Sequence, residues 1–214
     1  PGELIIIDDG STEFNIEDLQ FEGVFEKQIE SAGVRLVTKR QRNKGAQAAR
    51  NAGLGEASGD FIIFWDADTI GDADLLLKMK TKLDNNPKAA YAYSNFYWGI
   101  KKFKSGPFDT ERIRRESYIT TTALIRRDAV SKLDESIKKF QDWDMWLTLL
   151  EKGSVGVWID EYLMNILPGG VMSSWLPSCA YRKPWKHLPW VRGIVKKYEA
   201  GREVIQEKHK LQLG

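Results

Sequence analysis

Short apolar runs alternate with segments of helical periodicity along the first part of the chain. The runs at 4–7 and 61–65 consist entirely of Leu, Ile, Phe and Trp, which is typical of strands buried on both faces of a parallel sheet. Between them lie a loose helical pattern over 16–30, a strand pattern over 34–38 and a small-residue helix over 43–53. The order strand, helix, strand, helix, strand predicts a parallel α/β sheet with helices on its faces.

The rest of the chain continues with elements of the same kind. We expect helices over 72–83 and 142–152, and strands over 89–97, 118–125 and 155–160. No internal repeat interrupts the series. The pattern therefore predicts one α/β domain rather than an array of repeated units.

Two segments depart from this periodicity. Residues 101–116 are strongly charged and contain Gly106-Pro107, which predicts a mobile excursion. From residue 181 onward, basic residues outnumber acidic ones, and Trp185 and Trp190 are interleaved with them. That mixture suits a helix lying on anionic lipid, and the alternative is an amphipathic helix docked on the domain through its tryptophans.

Acidic residues follow two of the predicted buried strands. Asp8 and Asp9 follow the first apolar run, and Asp66 and Asp68 follow the second. Strand ends of this kind form the ligand-binding edge of an open α/β sheet, and carboxylates there suit Mg²⁺ or Mn²⁺ bridged to substrate phosphates. The alternative is local chemistry, in which Asp8 and Asp9 shape a turn, Asp66 starts another and Asp68 caps the next helix.

A fifth acidic residue, Asp142, stands at the start of a helix with one apolar stripe. Trp143, Trp146 and Leu150 recur behind it at helical spacing, and Gly153 lies just past the end. The positive end of a helix favours an ionised carboxylate. Asp142 is therefore either the N-cap of this helix or a general base, and the two roles are compatible.

Composition limits the class of protein. The chain has 214 residues, 42% of them hydrophobic, and a net charge of +2, which suits one domain with at most an appendage and argues against a nucleic-acid binder. The single cysteine, Cys179, excludes an intramolecular disulfide framework. With neither a signal peptide nor a membrane-spanning run in the sequence, we expect a cytoplasmic location, peripheral on the inner face of the membrane if the 181–214 tail binds lipid.

Four of these segments, taken in order, resemble the family 2 inverting glycosyltransferases. They carry Asp-Asp-Gly-Ser, Asn-Lys-Gly followed by Ala-Ala-Arg-Asn-Ala-Gly, Trp-Asp-Ala-Asp-Thr and Gln-Asp-Trp-Asp-Met-Trp-Leu, within residues 4 to 153. The resemblance implies the GT-A fold, a Rossmann-like mixed sheet with helices on both faces. It also implies a domain over 1–174, with a nucleotide-binding half (1–88) and an acceptor half (89–174), followed by a basic helical tail (175–214).

The resemblance also implies a role for each matching residue. Asp142 matches the catalytic base, and Asp68 matches the direct ligand of a Mn²⁺ or Mg²⁺ ion. Asp66 matches the acid beside the ribose and the metal. The remaining matches are donor-binding residues, with Asp9 placed at the nucleotide base: Asp8, Asp9, Asn43, Gly45 and Arg50.

The reaction implied by the resemblance is metal-dependent transfer of a sugar, with inversion, from a nucleoside-diphosphate donor to a hydroxyl group. The acceptor is expected to be a glycan or a lipid-linked glycan in surface polysaccharide or glycolipid synthesis, with no nucleic-acid partner. Three departures from the family pattern bear on this expectation. Gln141 replaces a common Glu, residues 167–174 contain no His, and the chain starts directly on the second strand of the family, so that the first strand and helix are missing.

Such a start is expected if the sequence is a fragment, or if a partner or a rearrangement of the chain fills the gap. The same departures keep a second hypothesis open, a non-catalytic subunit that binds nucleotide sugars or serves in assembly.

Overall fold

A computed structural model describes residues 2–12, 24–169, 181, 185 and 188–211. The chain divides into two compact units, unit 1 (1–64 and 125–138) and unit 2 (65–124 and 139–214). The start of the predicted 16–30 helix, the end of the 167–174 loop and Cys179 lie outside the described residues.

Unit 1 begins with two parallel strands, β1 (Gly2–Asp8) and β2 (Val34–Arg40), which pair residue by residue along their length. The helix α1 (Val24–Ser31) packs against β2, and α2 (Ala46–Glu56) packs against β1. A third strand, β3 (Phe61–Ile63), follows. This order confirms the predicted alternation of strands and helices.

The position of α2 depends on a glycine. A Cβ atom on Gly53 would lie 3.5 Å from the Ile7 side chain and 3.8 Å from that of Ile5, so this small residue lets the helix lie close to β1. The helix predicted over 43–53 begins at Ala46 and continues past Gly53 to Glu56. Gly53 serves packing rather than termination.

Unit 2 is built on two long parallel strands, β5 (Ala89–Trp98) and β8 (Val155–Ile166). Two short strands flank them in antiparallel orientation: β4 (Thr69–Gly71) pairs with β8, and β6 (Lys101–Phe103) pairs with β5. The helix α3 (Leu75–Asp84) packs against β5 and β8. Three of its apolar residues are almost fully buried: Leu75, Met79 and Leu83.

The connection after β6 contains the helix α4 (Thr110–Arg115) and leads to the strand β7 (Leu124–Arg126), where the chain returns to unit 1. The predicted mobile excursion over 101–116 is wrong, because β6 and α4 are both formed there. Ile113 is fully buried, and buried Ser105 donates its backbone N–H to the Asn95 amide oxygen at 3.0 Å. The predicted strand over 118–125 is reduced to β7.

The helix α5 (Gln141–Glu151) confirms the predicted Trp-striped helix, and Gly153 follows it with a φ of +80°. Trp143 and Trp146 are buried, and the Trp146 ring stacks on Tyr91 at a centroid distance of 4.5 Å. The indole N–H of Trp146 donates to the Ile119 carbonyl at 2.9 Å. This pairing satisfies a donor that burial would otherwise leave without a partner.

The tail contains a long helix, α6 (Pro189–Lys208), whose C-terminal end packs against α5. Buried His209 lies between two carboxylates of α5, with Nε2 2.8 Å from Asp144 and Nδ1 2.7 Å from Glu151. These contacts show a docked helix, but the residues that make the described contacts are His209 and Tyr198 rather than the tryptophans that the docked alternative predicted, and Trp185 is exposed. Within the part of the chain that the structure describes, no helix combines the length and the hydropathy needed to cross a bilayer.

The docking contact predicts that stability depends on pH. Burial of the imidazole opposes protonation, but the hydrogen bonds to Asp144 and Glu151 outweigh it, so the pKa of His209 is raised. Folding therefore takes up a proton, and the stabilisation is complete below about pH 6.5 and is lost as the pH rises through the folded-state pKa. Lys208, 2.7 Å from Asp144, opposes the shift as a second cation.

We expect the Tm difference between the wild type and the His209→Gln variant to be largest near about pH 6 and to shrink toward about pH 9. Differential scanning calorimetry at a series of pH values measures it. A Tm difference that grows with pH would contradict the assignment of a protonated imidazole.

Candidate active site

The predicted site residues divide between the two units. Five of them lie in unit 1: Asp8, Asp9, Asn43, Gly45 and Arg50. The other three lie in unit 2: Asp66, Asp68 and Asp142.

Asp8 closes the turn after β1. Its carboxylate accepts the Ser11 backbone N–H at 2.8 Å and lies 3.5 Å from the Arg40 guanidinium. The side chain is buried. Because Arg40 is the residue paired with Asp8 in the β1–β2 ladder, this contact fixes the end of both strands, as the turn alternative predicted.

Asp9 organises the loop that leads into α2. One carboxylate oxygen accepts from the Gln41 amide at 2.7 Å and from the Lys44 backbone N–H at 2.9 Å. The other accepts the Gly45 backbone N–H at 2.8 Å. Both oxygens therefore hold the 41–45 loop against the end of β1, and charge-assisted bonds of this kind are stronger than neutral ones.

Two glycines of this loop have backbone conformations that other residues rarely adopt. Gly10 has a φ of +81° and Gly45 a φ of +94°. A Cβ atom on Gly10 would lie 2.7 Å from the Asn43 backbone nitrogen, which is closer than real Cβ contacts allow. The absence of a side chain at Gly10 therefore lets the turn after β1 lie against the backbone of Asn43 in the 41–45 loop.

We expect Gly10→Ala to destabilise the protein by about 1–3 kcal/mol, because the substitution adds both a steric clash and backbone strain. Gly55→Ala is the matched control: Gly55 lies in α2 with nothing within 4 Å of the added Cβ, so alanine should stabilise the helix by about 0.5–1 kcal/mol. Urea denaturation of both variants measures the effect. Equal changes in the two would show that the close approach of Gly10 to Asn43 does not matter.

Arg50 and its neighbour Asn51 lie on α2. The Arg50 guanidinium donates to the Gln47 amide oxygen at 2.9 Å. The Asn51 amide exchanges two hydrogen bonds with the backbone of Leu133, at 2.9 and 2.8 Å. Asn51 therefore joins α2 to the 125–138 stretch of unit 1. The sequence had indicated this residue only as part of a motif.

In unit 2, Asp66, Ala67 and Asp68 form a turn ahead of β4. The Thr69 backbone N–H donates to the Asp66 carbonyl at 2.9 Å, and the Leu167 backbone N–H donates to the Asp68 carbonyl at 2.8 Å. Asp66 starts a turn, as one alternative predicted. The helix-cap alternative for Asp68 is wrong, because α3 begins at Leu75 and is preceded by Asp74.

The turn presents two half-buried carboxylates, and the Asp66 carboxylate also lies 3.4 Å from the Thr121 hydroxyl. Among the described residues, no three His, Cys, Asp or Glu side chains are grouped so as to hold a metal ion. This donor set does not suit a closed, all-protein metal site. It fits Mg²⁺ or Mn²⁺, which proteins bind through one or two carboxylates while water and substrate phosphates complete the coordination.

Asp142 lies in the first turn of α5, one residue after its start. The N-cap is Phe140, a non-glycine residue in the left-handed region (φ +58°, ψ +38°), so the N-cap alternative for Asp142 is wrong. One Asp142 oxygen accepts the Trp143 backbone N–H at 2.8 Å, and the other accepts the Ser117 hydroxyl at 2.8 Å. These bonds hold the carboxylate at the positive end of the helix.

The sequence did not indicate that Ser117 and Thr121 are hydrogen-bond partners of the site carboxylates. They belong to one short segment, and their hydroxyls approach the carboxylates of Asp142 and Asp66 respectively. The only signal in the sequence is a run of hydroxyl side chains over 120–122. The run alone does not indicate which acidic residues its hydroxyl groups face.

Comparisons with known proteins identify similar chains. The family model for Glycosyl transferase family 2 matches residues 2–136. A PGL/p-HBAD biosynthesis glycosyltransferase of Mycobacterium bovis is 26% identical over 154 residues, which cover 66% of this chain and 56% of the relative. TuaG of Bacillus subtilis, named for teichuronic acid biosynthesis, is 26% identical over 174 residues, covering 75% and 65%. The chain thus spans between half and two thirds of the length of these relatives.

Solved structures show the same fold. TarS of S. aureus in complex with UDP-GlcNAc matches with a TM-score of 0.62 at 17% identity, over 90% of this chain and 56% of that one. The mannosyltransferase PcManGT of Pyrobaculum calidifontis in complex with GDP-Man and Mn²⁺ matches with a TM-score of 0.53 at 14% identity, over 89% and 51%. These matches confirm the predicted GT-A fold and its mixed α/β class.

Proposed function

Because this chain belongs to glycosyl transferase family 2, we propose that it is a metal-dependent inverting glycosyltransferase that uses a nucleoside-diphosphate sugar. The observation that carries the proposal is the geometry at Asp142. Asp142 is not the N-cap residue of α5; its carboxylate is oriented by the Ser117 hydroxyl and by the backbone N–H of Trp143 in the first turn. A carboxylate held in this way is suited to general base catalysis.

In the proposed reaction, Asp142 accepts the proton of the acceptor hydroxyl as that oxygen attacks the anomeric carbon. A new C–O bond forms on one face of the sugar while the bond to the diphosphate breaks on the other. The electron pair leaves with the diphosphate oxygen, and a single displacement inverts the anomeric configuration. Ser117 orients the carboxylate through its bond to one oxygen.

Asp68, with Asp66 beside it, would hold the divalent ion. A bound Mn²⁺ or Mg²⁺ supplies Lewis-acid stabilisation of the negative charge on the departing diphosphate. Two observations support this assignment: the open pair of carboxylates on one turn of unit 2 and the Mn²⁺ found in a solved structure of the same fold. The Thr121 hydroxyl, 3.4 Å from one Asp66 carboxylate oxygen, is placed to donate to it.

The donor-binding residues of unit 1 act by shaping a loop. Asp9 uses both oxygens to hold the loop ahead of α2. We propose that Asp9, Asn43 and Gly45 form the surface that contacts the nucleoside, that buried Asp8 supports this surface through the turn after β1, and that Arg50 is a phosphate or structural contact. The proposed division assigns 1–88 to the donor and 89–174 to the acceptor. We further propose a cytoplasmic location.

The acceptor is proposed from chemistry and relatives together. Relatives are named for PGL/p-HBAD and teichuronic acid biosynthesis, which suggests a hydroxyl of a surface polysaccharide or a glycolipid. The full-length gene product should be incubated with Mn²⁺, a radiolabelled sugar nucleotide and an extract of envelope lipids and glycans. UDP-glucose, UDP-galactose, UDP-N-acetylglucosamine and GDP-mannose form the donor panel.

Transfer of label from one donor, with inverted anomeric configuration by NMR, is the expected result. Nucleotide binding without transfer from any donor would overturn the proposal. That outcome would favour the non-catalytic subunit that the sequence left open.

A further inference from the structure

The C-terminal helix contacts the proposed catalytic helix at two places. At the first, Asp144 of α5 is 3% exposed and receives two cationic groups from the end of α6. The Lys208 ammonium lies 2.7 Å from its carboxylate, and the His209 imidazole lies 2.8 Å from the same oxygen. A buried carboxylate is tolerated only when it is paired in this way, so this contact fixes α6 to the residue two positions after Asp142.

At the second place, the middle of α6 packs against the residues that precede Asp142. The Tyr198 ring contacts the Phe140 ring edge-on at a centroid distance of 4.9 Å. A Cβ atom on Gly201 would lie 3.0 Å from the Lys139 Cβ and 3.4 Å from the Phe140 ring. The missing side chain of Gly201 therefore lets α6 approach the backbone just before the base.

Phe140 is the residue whose backbone needs this support. It adopts a left-handed conformation with a φ of +58°, which a bulky side chain rarely adopts and which persists only where the surroundings enforce it. The supporting contacts come from Tyr198 and Gly201 on α6 and from Trp143 on α5, whose ring is 5.9 Å from that of Phe140. The turn that aims Asp142 is thus held partly by the tail.

A third contact reaches the partner of Asp142. The Arg202 guanidinium of α6 donates to the Arg115 carbonyl at 3.2 Å, where α4 ends. Two residues later, the Ser117 hydroxyl donates to the Asp142 carboxylate. The same helix therefore contacts the segments on both sides of the proposed base.

We propose that α6 is a positioning element of the active site, and that Gly201 and His209 are positioning residues that hold Asp142 in its reactive orientation. The proposal rests on the proposed function, since it takes Asp142 as the base. It assigns a catalytic consequence to a segment beyond the region that the family model matches, which ends at residue 136. A small displacement of a catalytic group is enough to slow a reaction without weakening substrate binding.

Gly201→Leu tests the proposal, and Gly193→Leu is its matched control on the same helix. A side chain at Gly193 meets nothing within 4 Å, whereas one at Gly201 meets Lys139 and Phe140. Leucine is a good helix former, so both variants keep the helix. We expect Gly201→Leu to lower kcat for sugar transfer by about tenfold or more, with a donor KM within about twofold of the wild type, whereas Gly193→Leu matches the wild type.

His209→Gln provides an independent second variant, with Glu203→Gln on the exposed side of α6 as its control. His209→Gln should lower kcat in the same way without raising the donor KM, whereas Glu203→Gln should match the wild type. If Gly201→Leu fails to fold, His209→Gln still tests the proposal. Thermal stabilisation by UDP or GDP with Mn²⁺ checks that each variant still binds nucleotide.

Wild type and Asp142→Asn are assayed in parallel. Wild-type kcat in both Gly201→Leu and His209→Gln, alongside an inactive Asp142→Asn, would overturn the positioning role and leave the proposed function intact. A rise of donor KM with an unchanged kcat in the two variants would likewise show that α6 only packs against the domain. An Asp142→Asn variant as active as the wild type would remove both proposals.

Discussion

Replacing Asp142 by Asn is expected to lower kcat for sugar transfer by about 10²–10⁴-fold, the usual contribution of general base catalysis. The amide keeps the size of the side chain: its oxygen can still accept the Trp143 N–H, and its NH2 group can donate to the Ser117 hydroxyl oxygen in place of the bond that the carboxylate accepts. It cannot take a proton from the acceptor hydroxyl. The donor KM should therefore change little, because the base acts on the acceptor.

Initial rates of label transfer from the sugar nucleotide measure this effect. Asp84→Asn is a suitable control, because Asp84 is a solvent-exposed carboxylate that pairs only with Lys80 among the contacts the structure describes. Ser117→Ala should give a smaller loss of kcat, since it removes the orienting bond but keeps the base. Near-normal turnover by Asp142→Asn would exclude it as the base.

The second large effect is expected at Asp68. In the wild type, UDP or GDP should raise the Tm strongly in the presence of Mn²⁺ and little in EDTA. At a nucleotide concentration of about 100 Kd, the stabilisation is about 2.7 kcal/mol. Asp68→Asn should abolish most of the metal-dependent part, because the amide replaces a hard anionic oxygen ligand by a neutral one.

Thermal shift assays with and without EDTA measure this effect. The control is Asp72→Asn, an exposed acidic residue four positions further along the chain, which should behave as the wild type. Stabilisation by nucleotide that is equal in EDTA and in Mn²⁺ would rule out the metal role of Asp68.

Elements with an unambiguous hydrophobic period could be predicted from the sequence. The runs at 4–7 and 61–65 became β1 and β3, and the stripe of Trp143, Trp146 and Leu150 became α5. The segment over 101–116 was misjudged because charge dominated its composition. Its fold depends on a few buried positions such as Ser105 and Ile113, which a composition argument does not detect.

The candidate site could be predicted only as far as local motifs extend. The acidic residues Asp66, Asp68 and Asp142 stand in recognisable sequence contexts. Their hydroxyl neighbours do not: Ser117 is 25 residues from Asp142, and Thr121 is 55 residues from Asp66. His209 is one of two histidines in the chain, and nothing in its neighbourhood indicates that it faces Asp144 on another helix.

The bonds between Asn51 and Leu133 have a consequence for how the protein can be dissected. Unit 1 is assembled from two stretches of sequence, and the 125–138 stretch also joins the first through the Arg127 backbone N–H, which donates to the Asp60 carbonyl at 2.9 Å. During synthesis on the ribosome, unit 1 can complete its fold only after residue 138 has emerged, because the Asn51–Leu133 bonds join residues that are 82 positions apart in the chain. A recombinant piece that stops at residue 88 would lack the 125–138 stretch, and groups that this stretch pairs with, such as the Asp60 carbonyl, would lose their partners. Efforts to isolate a donor-binding module should therefore retain residues 125–138.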